Sequence, residues 1–193
     1  MDEIIKVLQN GFKVVQTTVK EWQETQQRSN EIVESLLNLS EQLQCCEQGG
    51  YEHELRDEFP DLKSRVVFKI MKAMEGKMKR LRELLRSFER LKDDLQKVRN
   101  SAVQVYSECS DRVDIEELAS GSPTCPPYTL MLEWIIDISR WYNNLYEQKK
   151  DLVNNIRYRD EEYFKSLMRK WKDNSSLYQV EGILEQVSLF VTT

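Results

Sequence analysis

Glycine and proline are scarce in this chain, which has six Gly and four Pro among 193 residues. Both residues interrupt helices and strands, so their scarcity predicts few turns and long elements. Long hydrophobic runs are lacking as well, because no stretch reaches the roughly 18 apolar residues that a membrane helix needs. No segment shows the alternating pattern of a strand. We therefore expect an all-α protein without a membrane span.

Residues that carry catalytic chemistry are few. The one histidine, His53, lies in an acidic stretch with no nucleophile at motif spacing. The chain has no HExxH, no GxSxG, no glycine-rich phosphate loop and no cluster with metal-ligand spacing. These absences argue against an enzyme, so we expect no catalytic residue, no metal and no cofactor.

The cysteines also lack a pattern. None of the four forms a CxxC pair, and we expect reduced thiols in an intracellular protein rather than the alternative, a disulfide framework. The four cysteines are Cys45, Cys46, Cys109 and Cys125.

The first residues, MDEIIKVLQNGF, are amphipathic and acidic, which is typical of neither a signal peptide nor a transit peptide.

What the chain does have is an apolar seam, in which apolar residues recur every three or four positions. It runs through residues 1–43, 67–109 and 128–156. Such spacing keeps one face of a helix turned toward a neighbouring helix, as in coiled coils and bundles. The polar residues within the seam are Gln26, Ser29, Ser40, Lys77 and Lys149.

The seam predicts three long helices, over residues 2–46, 61–109 and 128–157. Gly49-Gly50, with their tolerance of left-handed backbone, would end the first, and Pro60 would start the second. Two shorter helices follow, with Asp160 as one cap and Ser175 or Ser176 as the other. Their inward residues are Phe164, Leu167, Met168 and Trp171, then Val180, Ile183, Leu184, Val187 and Phe190.

The expected architecture is a long antiparallel helical hairpin, or coiled-coil-like bundle, with a smaller C-terminal helical part. Residues 1–110 would form the hairpin, 111–127 a linker, and 128–193 the C-terminal helices packed on the hairpin. One continuous domain is the alternative. Charge favours the antiparallel pairing, since residues 2–47 have four basic and eight acidic residues, whereas 63–99 have thirteen and five.

A row of cations recurs every seven residues along the second helix, with Lys69, Arg90 and Lys97 on an adjoining row. It is either a solvated outer face, the interpretation we favour, or an electrostatic footprint for RNA or an acidic partner. We expect no aromatic side chain among these cations, which argues against direct base readout, and we expect no direct nucleic-acid binding. The row is Arg65, Lys72, Lys79 and Arg86.

Two further stretches allow two interpretations each. The third helix is apolar over an unusual width, because Trp134 and Trp141 flank its seam on one side and Leu132, Tyr146 and Val153 on the other. It is either the centre of the chain's own bundle or a surface for a partner. In the polar stretch 23–31, Gln26 and Ser29 either are buried, where they would set the register or the partner choice of the helix, or lie in a part of the helix that is exposed or mobile. We expect the second.

At residues 59–65 (FPDLKSR) and 131–156 (MLEWIIDISRWYNNLYEQKKDLVNNI), with VDI at 113–115, the chain resembles the AFG-two-interacting ribosome maturation factors. The resemblance covers most of the chain. Its most specific portions are Phe59-Pro60-Asp61-Leu62 and Met131-Leu132-Glu133-Trp134, followed by Asp137-Ile138.

The resemblance implies a non-catalytic subunit that forms a heterodimer with CINP, the cyclin-dependent-kinase-interacting protein, which is itself largely helical. The pair would associate with type II AAA+ ATPases of the AFG-two/SPATA family. That assembly would release a maturation factor from pre-large ribosomal subunits and take part in protein turnover at replication forks. It also implies a location in the cytoplasm and nucleus.

We predict that the partner-binding or bundle-core residues of such an adaptor lie in the third helix and at the start of the second. An RNA-associated scaffold that uses the basic row is the alternative, and a homodimeric coiled coil is a third possibility. The predicted residues are Met131, Leu132, Trp134, Ile135, Ile138 and Trp141, with Phe59 and Leu62 at the second helix.

Overall fold

The structure, a computed structural model, describes residues 2–49, 59–110, 119–122, 124–173 and 177–192. These ranges contain six helices and no strand, apart from one isolated bridge between Ser122 and Cys125. The all-α prediction is confirmed, and the three long helices end within three residues of their predicted bounds. The helices are α1 (Asp2–Gln48), α2 (Leu62–Ser110), α3 (Tyr128–Asn154), α4 (Glu161–Trp171), α5 (Leu177–Gln186) and α6 (Ser188–Thr192).

The chain divides into two compact units. Unit 1 comprises Met1–Glu24, Phe88–Glu147 and Asn174–Thr193, and unit 2 comprises Thr25–Ser87 and Gln148–Asp173. The helices α1, α2 and α3 therefore each contribute residues to both units. The division predicted along the sequence, into 1–110, 111–127 and 128–193, stays a prediction.

Unit 1 is built on an aromatic cluster at the seam. The Trp22 ring lies 4.5 Å from the Phe88 ring and 4.8 Å from the Tyr142 ring, which meets it edge-on at 85°. At Gly11 an added Cβ would lie 3.0 Å from a Val98 methyl, so glycine lets α2 approach closely. Since Gly11 faces Val98 and Trp22 faces Phe88, these parts of α1 and α2 are antiparallel, as predicted.

The last two helices complete unit 1. Gln9 Nε2 donates to the Phe190 carbonyl at 2.9 Å, and Gln23 Nε2 donates to Glu181 at 3.2 Å. Four of the five residues predicted to face inward are buried, namely Val180, Ile183, Val187 and Phe190, whereas Leu184 is half-buried. Gly11 also faces Ile135 and Trp22 faces Tyr142, so α3 runs parallel to α1, and the unit is a helical bundle with a buried apolar core.

Unit 2 contains the capped helix α4. The Asp160 carboxylate accepts a hydrogen bond from the Tyr163 backbone N–H at 2.8 Å, which confirms the predicted cap. Phe164, Leu167 and Trp171 are buried, and Met168 is half-buried. The candidate caps of α5, Ser175 and Ser176, lie outside the described residues.

The ends of α1 and α2 differ slightly from the prediction. The Asp61 carbonyl accepts from Arg65 N–H at 3.0 Å, so α2 begins at Leu62, two residues after Pro60. At the other end, α1 ends at Gln48, immediately before Gly49, as predicted, although Gly49 does not adopt positive φ. Glycine is required for a different reason: an added Cβ would lie 2.7 Å from the Cys45 carbonyl oxygen. Gly50 lies outside the described residues.

Candidate interaction surfaces

Three of the predicted contact residues belong to the core. Met131, Ile135 and Ile138 are at most 1% exposed and lie on the inner face of α3 in unit 1. Their side chains therefore stabilise the bundle and present no surface to a partner. This is the bundle-core role, one of the two predicted for the stretch.

The remaining predicted residues of α3 keep part of their surface. Leu132, Trp134 and Trp141 are half-buried and flank the core on either side. Phe59 is 52% exposed, and its carbonyl accepts from Leu62 N–H at 3.0 Å in the turn that begins α2. Leu62 is half-buried. Partner binding at these five positions stays a prediction.

A groove that sequence reasoning missed lies between α1 and α2 in unit 1. It encloses about 530 Å³, and Gly11 and Val98 lie within it. Its charged residues neutralise each other, because Lys97 Nζ lies 2.8 Å from Asp94 Oδ1, so the groove is mainly apolar. The other lining residues are Val7, Asn10, Val14 and Ser101.

A buried polar network in unit 2 overturns the expectation of an exposed or mobile helix over residues 23–31. Gln26 is 3% exposed and Ser29 is fully buried. The Trp171 indole N–H donates to Ser29 Oγ at 2.9 Å, while Gln26 Nε2 donates to the Trp171 carbonyl at 3.0 Å. Both polar residues can be buried in the seam because Trp171 of α4 supplies their hydrogen-bond partners, 142 and 145 residues away along the chain.

Lys149 is the charged residue in this network. It is 2% exposed, and its ammonium donates to the Trp171 carbonyl at 2.9 Å and lies 4.6 Å from the centre of the Trp171 ring. Burial lowers the pKa of Lys149 to about 7, and the charge of Asp173 opposes that shift. An amine of this pKa is suited to proton transfer, but burial keeps Lys149 from any substrate in this structure.

The basic row, Arg65, Lys72, Lys79 and Arg86, is exposed along the part of α2 that belongs to unit 2, and we call it the basic face. Phe68, which sequence reasoning missed, is 67% exposed and lies three residues after Arg65 and four before Lys72. The expectation that no aromatic side chain lies among these cations is therefore wrong. The helical spacing could have revealed Phe68, because it falls outside the apolar seam.

The remaining candidates for chemistry concern metals, thiols and membranes. Within the described ranges, no group of three or more His, Cys, Asp or Glu is placed to hold a metal ion. His53 lies outside these ranges. Among the cysteines whose side chains are described, Cys45, Cys46 and Cys125 are free thiols. No described helix combines the length and the apolar character of a bilayer-crossing segment.

The fold and these surfaces define an all-α, helical-bundle protein. The chain belongs to the family described as "CA109-like: Ribosome biogenesis protein C1orf109-like", whose model matches residues 2–189. The resemblance stated from residues 59–65 and 131–156 is thereby confirmed, and so is the assignment to ribosome biogenesis.

Three relatives that are similar over nearly the whole chain share one name. The AFG2-interacting ribosome maturation factor of Xenopus tropicalis is 30% identical to this chain over 187 residues, which cover 95% of this chain and 92% of that protein. The human protein of the same name is 30% identical over 191 residues, covering 96% and 94%. The mouse protein is 29% identical over 191 residues, covering 96% and 88%.

Proposed function

We propose that this protein is a non-catalytic adaptor subunit that acts in ribosome biogenesis through type II AAA+ ATPases of the AFG-two/SPATA family. The observation that carries the proposal is the name of the relatives, AFG2-interacting ribosome maturation factor, together with 30% identity over 95% and 96% of this chain. The similarity extends over nearly the whole chain and is not confined to one helix.

The finer part of the proposal concerns partners and place. The protein forms a heterodimer with a CINP-like helical protein, and the pair binds the ATPases. The assembly releases a maturation factor from pre-large ribosomal subunits and also acts in the turnover of replisome proteins, in the cytoplasm and nucleus. The resemblance over residues 131–156 supports these assignments.

The contact surface that we propose is the outer part of α3. Trp134 and Trp141 are half-buried and lie seven residues apart, on one side of the helix. Tryptophan is enriched among residues that dominate binding energy in interfaces, and partial burial pre-orders its ring. Such a contact depends on apolar area, so it tolerates salt.

The experiment that tests the function is affinity purification of the tagged full-length chain from extract in about 0.5 M salt, where exposed charges are largely screened. We expect mass spectrometry to find the two related ATPases and the CINP-like subunit in near-equal amounts. Absence of the ATPases at both low and high salt would overturn the proposed function.

A variant locates the contact. The double substitution Trp134→Ala and Trp141→Ala should abolish capture of the partners while far-UV circular dichroism still shows a helical chain. Tyr178→Ala is the matched control, since Tyr178 is an aromatic residue that is 80% exposed on α5, and it should leave capture unchanged. Normal capture by the double variant would remove the contact from α3 and leave the adaptor function standing.

A further inference from the structure

The two parts of α2 carry very different charge. Residues 62–87, in unit 2, contain nine basic and two acidic residues, whereas residues 88–110, in unit 1, contain four of each. In unit 1 three of these four cations form described ion pairs, namely Arg90 with Glu21 at 3.2 Å, Lys92 with Asp93 at 2.9 Å and Lys97 with Asp94 at 2.8 Å. Among the described residues, no ion pair joins the basic face to a carboxylate.

Phe68 lies within the basic face. Phe68 and Arg86 are 18 residues apart, or about five helical turns, so their side chains project in the same direction. Arg65 and Lys72, three and four residues from Phe68, are its neighbours on the helix surface. An aromatic ring that is 67% exposed and flanked by two cations is therefore open to a flat, anionic ligand.

Gly76 leaves the helix backbone bare between Lys72 and Lys79. A Cβ built at this glycine would meet nothing within 4 Å, so packing inside the protein does not require glycine. Glycine is unfavourable in a helix interior, and one use of glycine in proteins is to let a ligand approach the backbone closely. The two acidic residues within residues 62–87 are Glu75 and Glu83.

We propose that the basic face of α2 binds single-stranded RNA. An unpaired base stacks on Phe68, and Arg65 and Lys72 neutralise the adjacent phosphates. Lys79 and Arg86 hold the strand further along, at steps of roughly 10 Å. Stacking on exposed aromatic rings beside cations is how proteins bind single strands without reading sequence.

Phe68 distinguishes single-stranded RNA from two other anionic ligands, a nucleic-acid duplex and an acidic protein surface. A duplex keeps its bases stacked and would use the cations alone. An acidic protein surface would likewise gain from the charges and not from an open aromatic ring. This proposal departs from the expectation of no direct nucleic-acid binding, because the exposed Phe68 supplies the aromatic ring that was expected to be missing from the basic face.

The test is fluorescence anisotropy of the full-length chain with a labelled oligouridylate of about 15 nucleotides, long enough to cover a face of roughly 30 Å. Each phosphate contact adds about 0.7 to the slope of log affinity against log salt. Substituting Lys72, Lys79 and Arg86 together by Gln should weaken binding at least about tenfold and lower that slope by about 2.

Phe68→Ala should weaken binding by about tenfold, within the range for loss of one stacked base, and leave the salt slope unchanged. The control removes paired cations of the same helix, Arg90→Gln with Lys97→Gln, and should leave affinity unchanged. Circular dichroism should show equal helicity for all variants, since each substituted side chain is exposed.

Three outcomes would overturn the proposal. The first is no binding of oligouridylate at low salt. The second is equal binding of an RNA duplex with no effect of Phe68→Ala. The third is equal competition by polyglutamate with no effect of Phe68→Ala, which would assign the face to an acidic protein. If the protein captures the ATPases but does not bind oligouridylate, only the RNA-binding proposal is overturned. The two proposals can therefore be tested independently.

Discussion

The two units each contain a fully buried tryptophan, Trp22 in unit 1 and Trp171 in unit 2, and the two indoles are held by different forces. Trp22 packs against the rings of Phe88 and Tyr142, and its Nε1 has no hydrogen-bond partner among the described residues. Trp171 donates its Nε1 to Ser29, and its carbonyl accepts from Lys149 and Gln26. Apolar contact area thus dominates one core, and directional bonds help specify the other.

The difference has a physical consequence. Contact area is non-directional, so the core around Trp22 should accept replacements of similar shape. A hydrogen-bonded network is less tolerant, because removing one partner leaves another buried group unsatisfied. The buried amine of Lys149 adds a dependence on pH near neutrality, where Tyr142 beside Trp22 stays protonated because burial raises the pKa of its phenol.

The largest expected effect is the loss of either tryptophan. Trp22→Ala and Trp171→Ala should each lower the free energy of unfolding by about 3–5 kcal/mol, because each removes a fully buried ring. Trp171→Ala should lie at the upper end, since it also removes the ring that faces the Lys149 ammonium. Urea denaturation followed by circular dichroism measures both. A loss below about 1 kcal/mol at Trp171 would contradict its central position in unit 2.

The next effect concerns the charge of Lys149. The folded chain releases this proton near pH 7, whereas the unfolded chain keeps it until about 10.5. Between these values the unfolded state binds more protons, so the free energy of unfolding rises with pH, by at most about 1.4 kcal/mol per pH unit. Lys149→Met should raise stability at neutral pH and flatten this rise, while Gln26 continues to donate to the Trp171 carbonyl.

The measurement is urea denaturation between pH 6.5 and 9, below the range in which tyrosines titrate. Lys170→Met is the matched control, since Lys170 is an exposed lysine of α4, and it should keep the slope of the wild type. An unchanged slope in Lys149→Met would show that the amine is not a source of the pH dependence.

A smaller effect separates the two indole N–H groups. Trp22→Phe and Trp171→Phe remove similar volumes, but only Trp171→Phe deletes a described hydrogen bond, the one to Ser29. We expect Trp171→Phe to cost about 1 kcal/mol more than Trp22→Phe, the usual net value of such a bond. Equal costs in urea denaturation would mean that the polar network adds nothing to stability.

The smallest effect compares two tyrosines of unit 1. Within the part of the chain that the structure describes, Tyr142 Oη is buried without a hydrogen-bond partner, whereas Tyr146 Oη donates to Glu89 at 2.8 Å. Burial raises the pKa of both phenols, and Glu89 raises that of Tyr146 further. Tyr142→Phe should therefore be neutral or slightly stabilising, and Tyr146→Phe should cost about 1 kcal/mol. The reverse order of melting temperatures would contradict the two assignments.

Much of the fold could be predicted from periodicity. The seam identified the buried faces of α1, α2 and α3, including the polar positions Gln26, Ser29 and Lys149, which are all buried. The expectation that residues 23–31 are exposed failed because it judged Gln26 and Ser29 by their polarity. Their hydrogen-bond partner is Trp171, and no local pattern in α1 reveals a partner so remote in the sequence.

The candidate surfaces were predicted less completely. Periodicity placed Met131, Ile135 and Ile138 on one face, and the structure shows that this face is core. The exposed Phe68 was within reach of the same reasoning, because it lies off the seam and between two cations. The groove around Gly11 could not be predicted by this reasoning, because its existence depends on the distance between α1 and α2.

By itself, the sequence determined the helical class, the bounds of the long helices, the inward face of each and the charge of α2. These properties follow from local periodicity and composition, which act over a few residues. The tertiary structure alone decided how each long helix is shared between two units, and which polar seam residues find partners. Those outcomes depend on contacts between residues more than a hundred positions apart, such as Ser29 with Trp171.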